Sequence, residues 1–387
     1  MATKAGQRQE GVTIETPRSG DVLNRHDGRE SPDGLVIELA GSCRPGSRVT
    51  INGTPARTEG GRFAGEVLLT KRRNRIRAEA AGANHAATDE IVALWDWQSF
   101  KRYRFSVDDN IMFLKDLSLA PERYRSLFDH WYLAFWRRMH EEFGANIHLN
   151  IYYQTEGLPE PGTTGQGFDL TQMPDKWREE WEENAPWLHL SFHALADKPD
   201  WPYRNATYTE MAHDLDLVMA HIRRFAGNEV TSRVTTVHWA ACPRDAVRAL
   251  RDRGVDVLIG LFNVAGDFPH TGYYFDQATC RHLNARDYFH DPEADVTFVA
   301  CDLVVNSVAL EEIVPALERQ AASPHTGELV ELLIHEQYFR EDLPQYYQPD
   351  MQERVARALQ WVAANGYQPV FWGEGFCGNR SPRPTAG

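Results

Sequence analysis

The segment Tyr103-Arg-Phe-Ser-Val-Asp-Asp109 has the pattern of a short strand that ends in two adjacent acids. Further strand-like segments alternate with helical ones after it, as far as the strand Pro369 to Trp372. Such alternation is typical of a parallel sheet, in which a helix carries the chain back between consecutive strands. Over residues 95–377 we predict one closed (β/α) barrel, so the fold class is α/β.

Helix signals support this interpretation at two places. Apolar residues recur at helical spacing from Pro121 to Phe143, and Gly144 stands where a C-cap belongs, so we predict one long helix there. The stretch Thr207-Tyr-Thr-Glu210 has the pattern of a capping box and predicts a second helix that runs to about Ala226.

Residues 12–94, which precede this region, show a different pattern. They contain five short segments that alternate apolar with polar residues, separated by turn signals such as Asn52-Gly53. This pattern predicts a small all-β sandwich domain. With its segment Val49-Thr-Ile-Asn-Gly53, this domain resembles the immunoglobulin-like modules that are appended to carbohydrate-active enzymes. We expect residues 1–11 and 378–387 to be flexible ends.

Composition excludes several function classes. The formal net charge of −14 argues against binding of nucleic acid through phosphates and against an anionic membrane surface. Five cysteines at irregular spacing suggest neither a disulfide framework nor a cysteine-rich zinc site. No secretory signal is visible, so we expect a cytoplasmic location. Eleven tryptophans and fourteen tyrosines suit either a large core or a sugar-binding cleft.

Acids and imidazoles cluster at the predicted strand ends, where barrel enzymes carry their functional groups. In Trp187-Leu-His-Leu-Ser-Phe-His193 the two histidines share one face of a strand, because side chains alternate between faces. Together with Asp109, the residues His189 and His193 have the right types for a divalent metal, most favourably Zn²⁺. Co²⁺, Mn²⁺ and Ni²⁺ suit the same ligands. Asp108 is then free to act as a base.

Five further residues at or beside strand ends complete the predicted site. His335 follows the apolar strand Leu329 to Ile334, and an imidazole there suits a general acid that protonates a leaving amine. We expect substrate contacts from the residues that adjoin these strand ends, namely Asn110, His238, Trp239 and Glu336.

Three of these patterns together resemble the polysaccharide deacetylase (NodB-homology, carbohydrate esterase) superfamily. They are the acidic pair in Phe105-Ser-Val-Asp-Asp109, the spacing of His189 and His193, and the apolar strand that ends in His335. The resemblance covers roughly residues 100–375 and implies a distorted (β/α) barrel. It also implies that Asp108 is the general base, that Asp109 and the two histidines bind the metal, and that His335 is the general acid.

The sequence therefore predicts a metal-dependent hydrolase that removes an acyl group, most often N-acetyl, from an amino sugar or saccharide. Two alternatives stay open. One is a glycoside hydrolase or other sugar-active enzyme, in which Asp108 works with Glu336 or Glu374 as a carboxylate pair. The other is a carbohydrate-binding protein without catalytic activity. The oligomeric state is not predicted.

Overall fold

The computed structural model describes residues 11–82, 85–155, 167–263 and 271–381. The predicted flexible ends, 1–11 and 378–387, lie mostly outside these residues. The chain divides into two compact units. One comprises residues 1–99 with 289–293 and 379–387, and the other comprises residues 100–288 with 294–378.

The first unit consists of two five-stranded sheets around one apolar core. Its strands are β1 (Val12–Thr16), β2 (Val22–Leu23), β3 (Gly28–Ser31), β4 (Gly34–Cys43), β5 (Arg48–Ile51), β6 (Thr54–Pro55), β7 (Arg57–Glu59), β8 (Arg62–Leu69), β9 (Arg73–Gly82) and β10 (His85–Trp95). The sheets have the orders β1-β4-β8-β7, with β3 beside β4, and β2-β10-β9-β5-β6. All five predicted strands are present, and every pairing except that of β2 with β10 is antiparallel.

The turn Asn52-Gly53 joins β5 to β6, as its sequence predicts. Both residues have positive φ, 47° and 82°. This conformation matches the twist of a tight hairpin and favours asparagine and glycine.

The second unit contains parallel sheets and the helices that connect their strands. Its strands are β11 (Arg102–Asn110), β12 (Ile147–Tyr152), β13 (Leu188–Ala194), β14 (Val234–Thr235), β15 (Val257–Gly260), β17 (Val296–Ala300), β18 (Leu303–Val304), β19 (Leu329–His335) and β20 (Gln368–Pro369). Its helices are α1 (Met112–Leu119), α2 (Trp131–Phe143), α3 (Arg178–Asn184), α4 (Tyr208–Ala226), α5 (Arg244–Asp252), α6 (Gln277–Asn284), α7 (Ile313–Ala321) and α8 (Met351–Ala364). The strand β16 (Tyr288–Asp291) falls at the division, since residues 289–291 belong to the first unit.

In the part of the chain that the structure describes, the strands follow the predicted α/β pattern, but no single closed barrel is shown. One sheet has the order β13-β12-β11-β19-β18, with β20 also beside β11, and a second contains β14-β15-β17 in that order. These pairs are parallel. One parallel bridge, between Leu190 and Thr231, brings the chain before β14 beside β13. Within the described residues the architecture is therefore α/β with two parallel sheets.

The predicted helix over Pro121 to Phe143 is divided. Two short 3₁₀ turns, Pro121–Arg123 and Leu127–Asp129, precede α2, and Ser126 and Asp129 form a capping box at the start of the second. His130 then caps α2 by accepting a hydrogen bond from the backbone N–H of Tyr132. Gly144, with φ 68°, ends α2 as predicted.

The capping box at the start of α4 is confirmed. The side chain of Thr207 accepts from the backbone N–H of Glu210, and Glu210 accepts from that of Thr207 at 2.8 Å. No helix in the described part of the chain is long and apolar enough to cross a membrane.

Candidate metal centre

Three side chains converge on one point, two from the carboxyl edge of the larger sheet and one from the segment that follows β14 of the second sheet. Asp109 lies at the end of β11, His193 at the end of β13, and His238 three residues beyond β14. The Nε2 atom of His193 is 3.1 Å from Oδ1 of Asp109, and Nδ1 of His238 is 3.2 Å from Nε2 of His193. Nδ1 of His238 is 3.6 Å from Oδ1 of Asp109. In the described residues these three form one group able to hold a metal ion.

The separations fit a small tetrahedral cation. Zinc bonds of 2.0–2.1 Å place neighbouring tetrahedral ligands about 3.3–3.4 Å apart. The observed distances of 3.1, 3.2 and 3.6 Å bracket this value. All three residues are buried, so few water molecules share in neutralising the carboxylate. The donor set therefore fits the divalent ion that the sequence predicts.

Contacts on the outer side of both rings fix their tautomers. Nδ1 of His193 lies 2.5 Å from the carbonyl oxygen of Thr236, and Nε2 of His238 lies 3.1 Å from that of Asp197. Because a carbonyl only accepts, each of these nitrogens carries the hydrogen. The opposite nitrogens, which face Asp109, are then the ones available to a metal, as is usual for ligating histidines.

Without a metal, one proton on His193 offsets the negative charge of the group. Burial lowers the pKa of His193, but the carboxylates of Asp108 and Asp109 more than offset it and the pKa is raised. Burial, reinforced by the charge of His193, lowers the pKa of His238 to about 4. His193 is therefore protonated first, at the nitrogen that faces Asp109. A bound cation would take the place of that proton.

The predicted ligand His189 lies elsewhere. Four residues of strand span about 13 Å, so His189 and His193 share a face of β13 but not a position along it. The ring of His189 stacks on Phe371, with centroids 3.6 Å apart, and meets His148 edge-on. His238, which we expected to contact substrate, takes its place in the group.

Asp108 and Asp109 both reach this edge of the sheet because the strand is irregular there. Neighbouring strand residues normally point to opposite faces, and a bulge can redirect one of them. The pairing of β11 with β12 shifts register between Val107 and Asn110, and Asp109 has a φ of 63°. Such a left-handed conformation is costly for a non-glycine residue and is often retained at functional sites.

Asp108 is buried beside the metal group. Its Oδ1 accepts a hydrogen bond of 2.5 Å from Nδ2 of Asn150. Burial raises its pKa, although the charges of His193 and His335 oppose the rise. Asp108 is opposite His335 in the parallel pairing of β11 with β19, which brings the predicted base and acid to the same edge. Nδ1 of His335 donates to Oδ1 of Asn306 at 2.9 Å.

Two predicted substrate contacts have structural roles. Asn110 is fully buried and donates through Nδ2 to the carbonyl oxygens of Val107 and Asn150. Glu336 is also buried, and its carboxylate accepts the N–H groups of Ile111, Met112 and Phe113 at the start of α1. These acceptor bonds occupy both of its oxygens. Glu336 therefore anchors a helix and is not free to pair with Asp108 as a glycosidase acid.

The sequence reasoning missed Tyr152 at the end of β12. Its hydroxyl donates to Oδ1 of Asp109 and lies 3.0 Å from Nδ1 of His238. Gln337 donates to the other carboxylate oxygen of Asp109 at 2.7 Å. The position of Tyr152 at the end of a predicted strand was an available signal, since it matches that of the two acids. Trp239, the remaining predicted contact, is 38% exposed beside His238.

Neither a family model nor a curated protein matches this chain. Among solved structures, the chain is similar to a CE4 family pseudoenzyme, BA3943 from Bacillus anthracis, at 8% identity and a TM-score of 0.31, over 76% of this chain and 81% of that one. It is also similar to a 4-alpha-glucanotransferase from Thermococcus litoralis at 8% identity and a TM-score of 0.43, over 70% and 39%. An endo-beta-1,4-mannanase from Thermotoga petrophila matches at 9% identity and a TM-score of 0.18, over 24% of this chain and 21% of that chain. Because all three TM-scores lie below 0.5, we base the function on the geometry of the site.

Proposed function

We propose that this protein is a metal-dependent hydrolase of the deacetylase type, which cleaves an acyl amide on an amino sugar. The observation that supports it is the meeting of a three-ligand group, a buried acid and an imidazole at one sheet edge. Asp109, His193 and His238 would hold the ion in this assignment. When bound, a divalent metal lowers the pKa of a water molecule to about 7 and polarises an acyl carbonyl.

The two remaining groups divide the proton transfers. Asp108 accepts the proton of the attacking water, and its hydrogen bond from Asn150 holds the carboxylate in place. His335 donates a proton to the departing amine, which is a poor leaving group unless it is protonated. Asn306 fixes the orientation of the His335 ring through Nδ1. One group thus removes a proton on the water side while the other supplies one on the amine side.

The glycosidase alternative is less well supported for the pair of Asp108 with Glu336, because Glu336 already has backbone partners. The carboxylate of Glu336 is held by three backbone N–H groups of α1 and is buried. A glycoside hydrolase needs two carboxyl groups that both reach the sugar. The pair of Asp108 with Glu374 stays a prediction, whereas the metal group is one that glycoside hydrolysis does not require.

The test is acetate release from N-acetylglucosamine and its short oligomers by zinc-loaded protein. Asp108→Asn should lower turnover by about 10²–10⁴-fold, the usual contribution of a general base, while bound zinc stays at the wild-type level. The control is Asp245→Asn, at an exposed position on α5, which should change neither quantity. Full activity in Asp108→Asn, or no acetate from fully zinc-loaded wild type, contradicts the proposal.

A further inference from the structure

Two tryptophans next to the metal group form what we call the indole pair, Trp201 and Trp239. Their ring centroids are 4.8 Å apart, at an angle of 40°. The ring of Trp239 is also 5.8 Å from that of His238, so the pair extends outward from a ligand of the metal group. Trp239 is 38% exposed, which is unusual for the largest apolar side chain.

Both members of the pair have left-handed backbones. The φ angle is 51° at Trp201 and 65° at Trp239, and the next residue, Ala240, has a φ of 44°. This conformation is unfavourable for a bulky residue, and it is held where the surroundings require it. Because the indole of Trp239 is exposed, packing in a core does not explain why this unfavourable backbone conformation is kept. The exposure of the indole suits contact with a ligand.

The turn that carries Trp239 is rigidly held. The backbone N–H of Tyr273 donates to the carbonyl oxygen of Ala240 at 2.6 Å, and the hydroxyl of Tyr273 donates to the carbonyl oxygen of Ile259 at 2.7 Å. Tyr273 is buried, so these bonds link the turn to the core of the second sheet. The backbone that carries Trp239 is therefore tied to the core, and binding does not have to order it.

A cleft of about 370 Å³ adjoins the pair through Trp201, which lines it. Trp239 is not among the lining residues and reaches the cleft through its contact with Trp201. The size of the cleft lies near the lower end of the range of about 300–1,000 Å³ that is typical of small-molecule sites. Its wall is mainly aromatic and apolar, with a few polar groups. The lining residues are Trp201, Arg204, Asn205, Ala241, Cys242, Pro243, Tyr273 and Tyr274. An aromatic face with a few hydrogen-bonding groups at its edge suits a pyranose ring, which has apolar C–H faces and a polar rim.

We propose that the indole pair and this cleft form a subsite for a second sugar ring, so that the preferred ligand is an oligosaccharide of neutral N-acetylated sugars. This proposal deepens the proposed function and rests on it for the class of sugar. The subsite binds one ring while the adjacent ring is placed at the metal group. Affinity should therefore rise from a monosaccharide to a trisaccharide.

The experiment is calorimetric titration of the full, metal-free chain with N-acetylglucosamine and with its β-1,4-linked trisaccharide. We expect wild type to bind the trisaccharide at least about fivefold more tightly, because tryptophans are enriched among the residues that carry binding energy. Trp239→Gly should abolish this advantage. Glycine suits a φ of 65°, so the variant should unfold near the wild-type temperature. Trp239→Tyr should retain part of the advantage.

The control is Trp131→Ala, which removes another exposed indole, 44% exposed, at the start of α2. It should bind the trisaccharide as wild type does. A folded Trp239→Gly protein with wild-type affinity for the trisaccharide overturns the subsite. Because this readout needs neither metal nor turnover, a failure of acetate release with intact Trp239-dependent binding would refute only the proposed reaction.

Discussion

The sharpest prediction concerns which histidine is a metal ligand. His238→Gln and His189→Gln are the same substitution at two imidazoles, of which only His238 belongs to the metal group. His238 lies 3.2 Å from Nε2 of His193, whereas His189 is about 13 Å along the strand from it. Loss of an outer partner of a ligand costs about 10–100-fold in metal affinity, so loss of a ligand itself should cost more than about 100-fold. His189→Gln should change affinity by less than about threefold.

The size of the effect follows from linkage. Zinc at 100 times the wild-type Kd stabilises the folded protein by about 2.7 kcal/mol. If Kd weakens 100-fold, the same zinc concentration stabilises His238→Gln by only about 0.4 kcal/mol. His189→Gln should keep nearly the full increment, since its ring stacks on Phe371 and not on the metal group.

The assay is denaturant unfolding of each protein with and without zinc, combined with elemental analysis of protein purified without chelator or nickel resin. Competition with a fluorescent zinc chelator gives the affinities directly. Loss of zinc in His189→Gln with retention in His238→Gln would refute the assignment. Equal loss in both would mean that the group as described does not hold the ion.

Three other predictions follow from the buried polar groups. Tyr152→Phe removes the hydroxyl that donates to Asp109 and should weaken zinc binding by about 10–100-fold in chelator competition, with the fold unchanged by circular dichroism. Glu331→Gln leaves the fully buried Arg104 without its ion-pair partner and should lower the free energy of unfolding by about 3–5 kcal/mol in urea; a loss under 1 kcal/mol would contradict the pairing. Burial, reinforced by the charge of Arg104, lowers the pKa of His189 to about 4 from its ordinary 6.5. The folded state thus favours neutral His189. Its contribution to the free energy of unfolding is complete above about pH 6.5 and is lost as pH falls toward 4. His189→Gln should remove up to about 3 kcal/mol of this pH dependence, measured by urea unfolding at pH 4–7.

The sequence alone predicted the features that neighbouring residues control. A capping box needs two side chains three residues apart, and Thr207 and Glu210 form one as expected. The Asn52-Gly53 turn needs two residues that tolerate positive φ, and both have it. The alternation of strand-like and helical segments likewise predicted that acids and imidazoles lie at strand ends. Parallel pairing of β11 with β19 brings Asp108 opposite His335. In each case the deciding interaction spans only a few residues or follows from strand direction.

Tertiary structure decided which strand-end groups meet, and what the others do. Alternation predicts the face of a strand on which a side chain lies but not its neighbours across the sheet. His189 therefore had the right face and the wrong position, while His238, 45 residues from His193, supplies the second imidazole. Asn110 and Glu336 looked like site residues until their backbone partners were known. The indole pair likewise joins two turns 38 residues apart. Such contacts depend on how distant segments pack, and no local pattern records them.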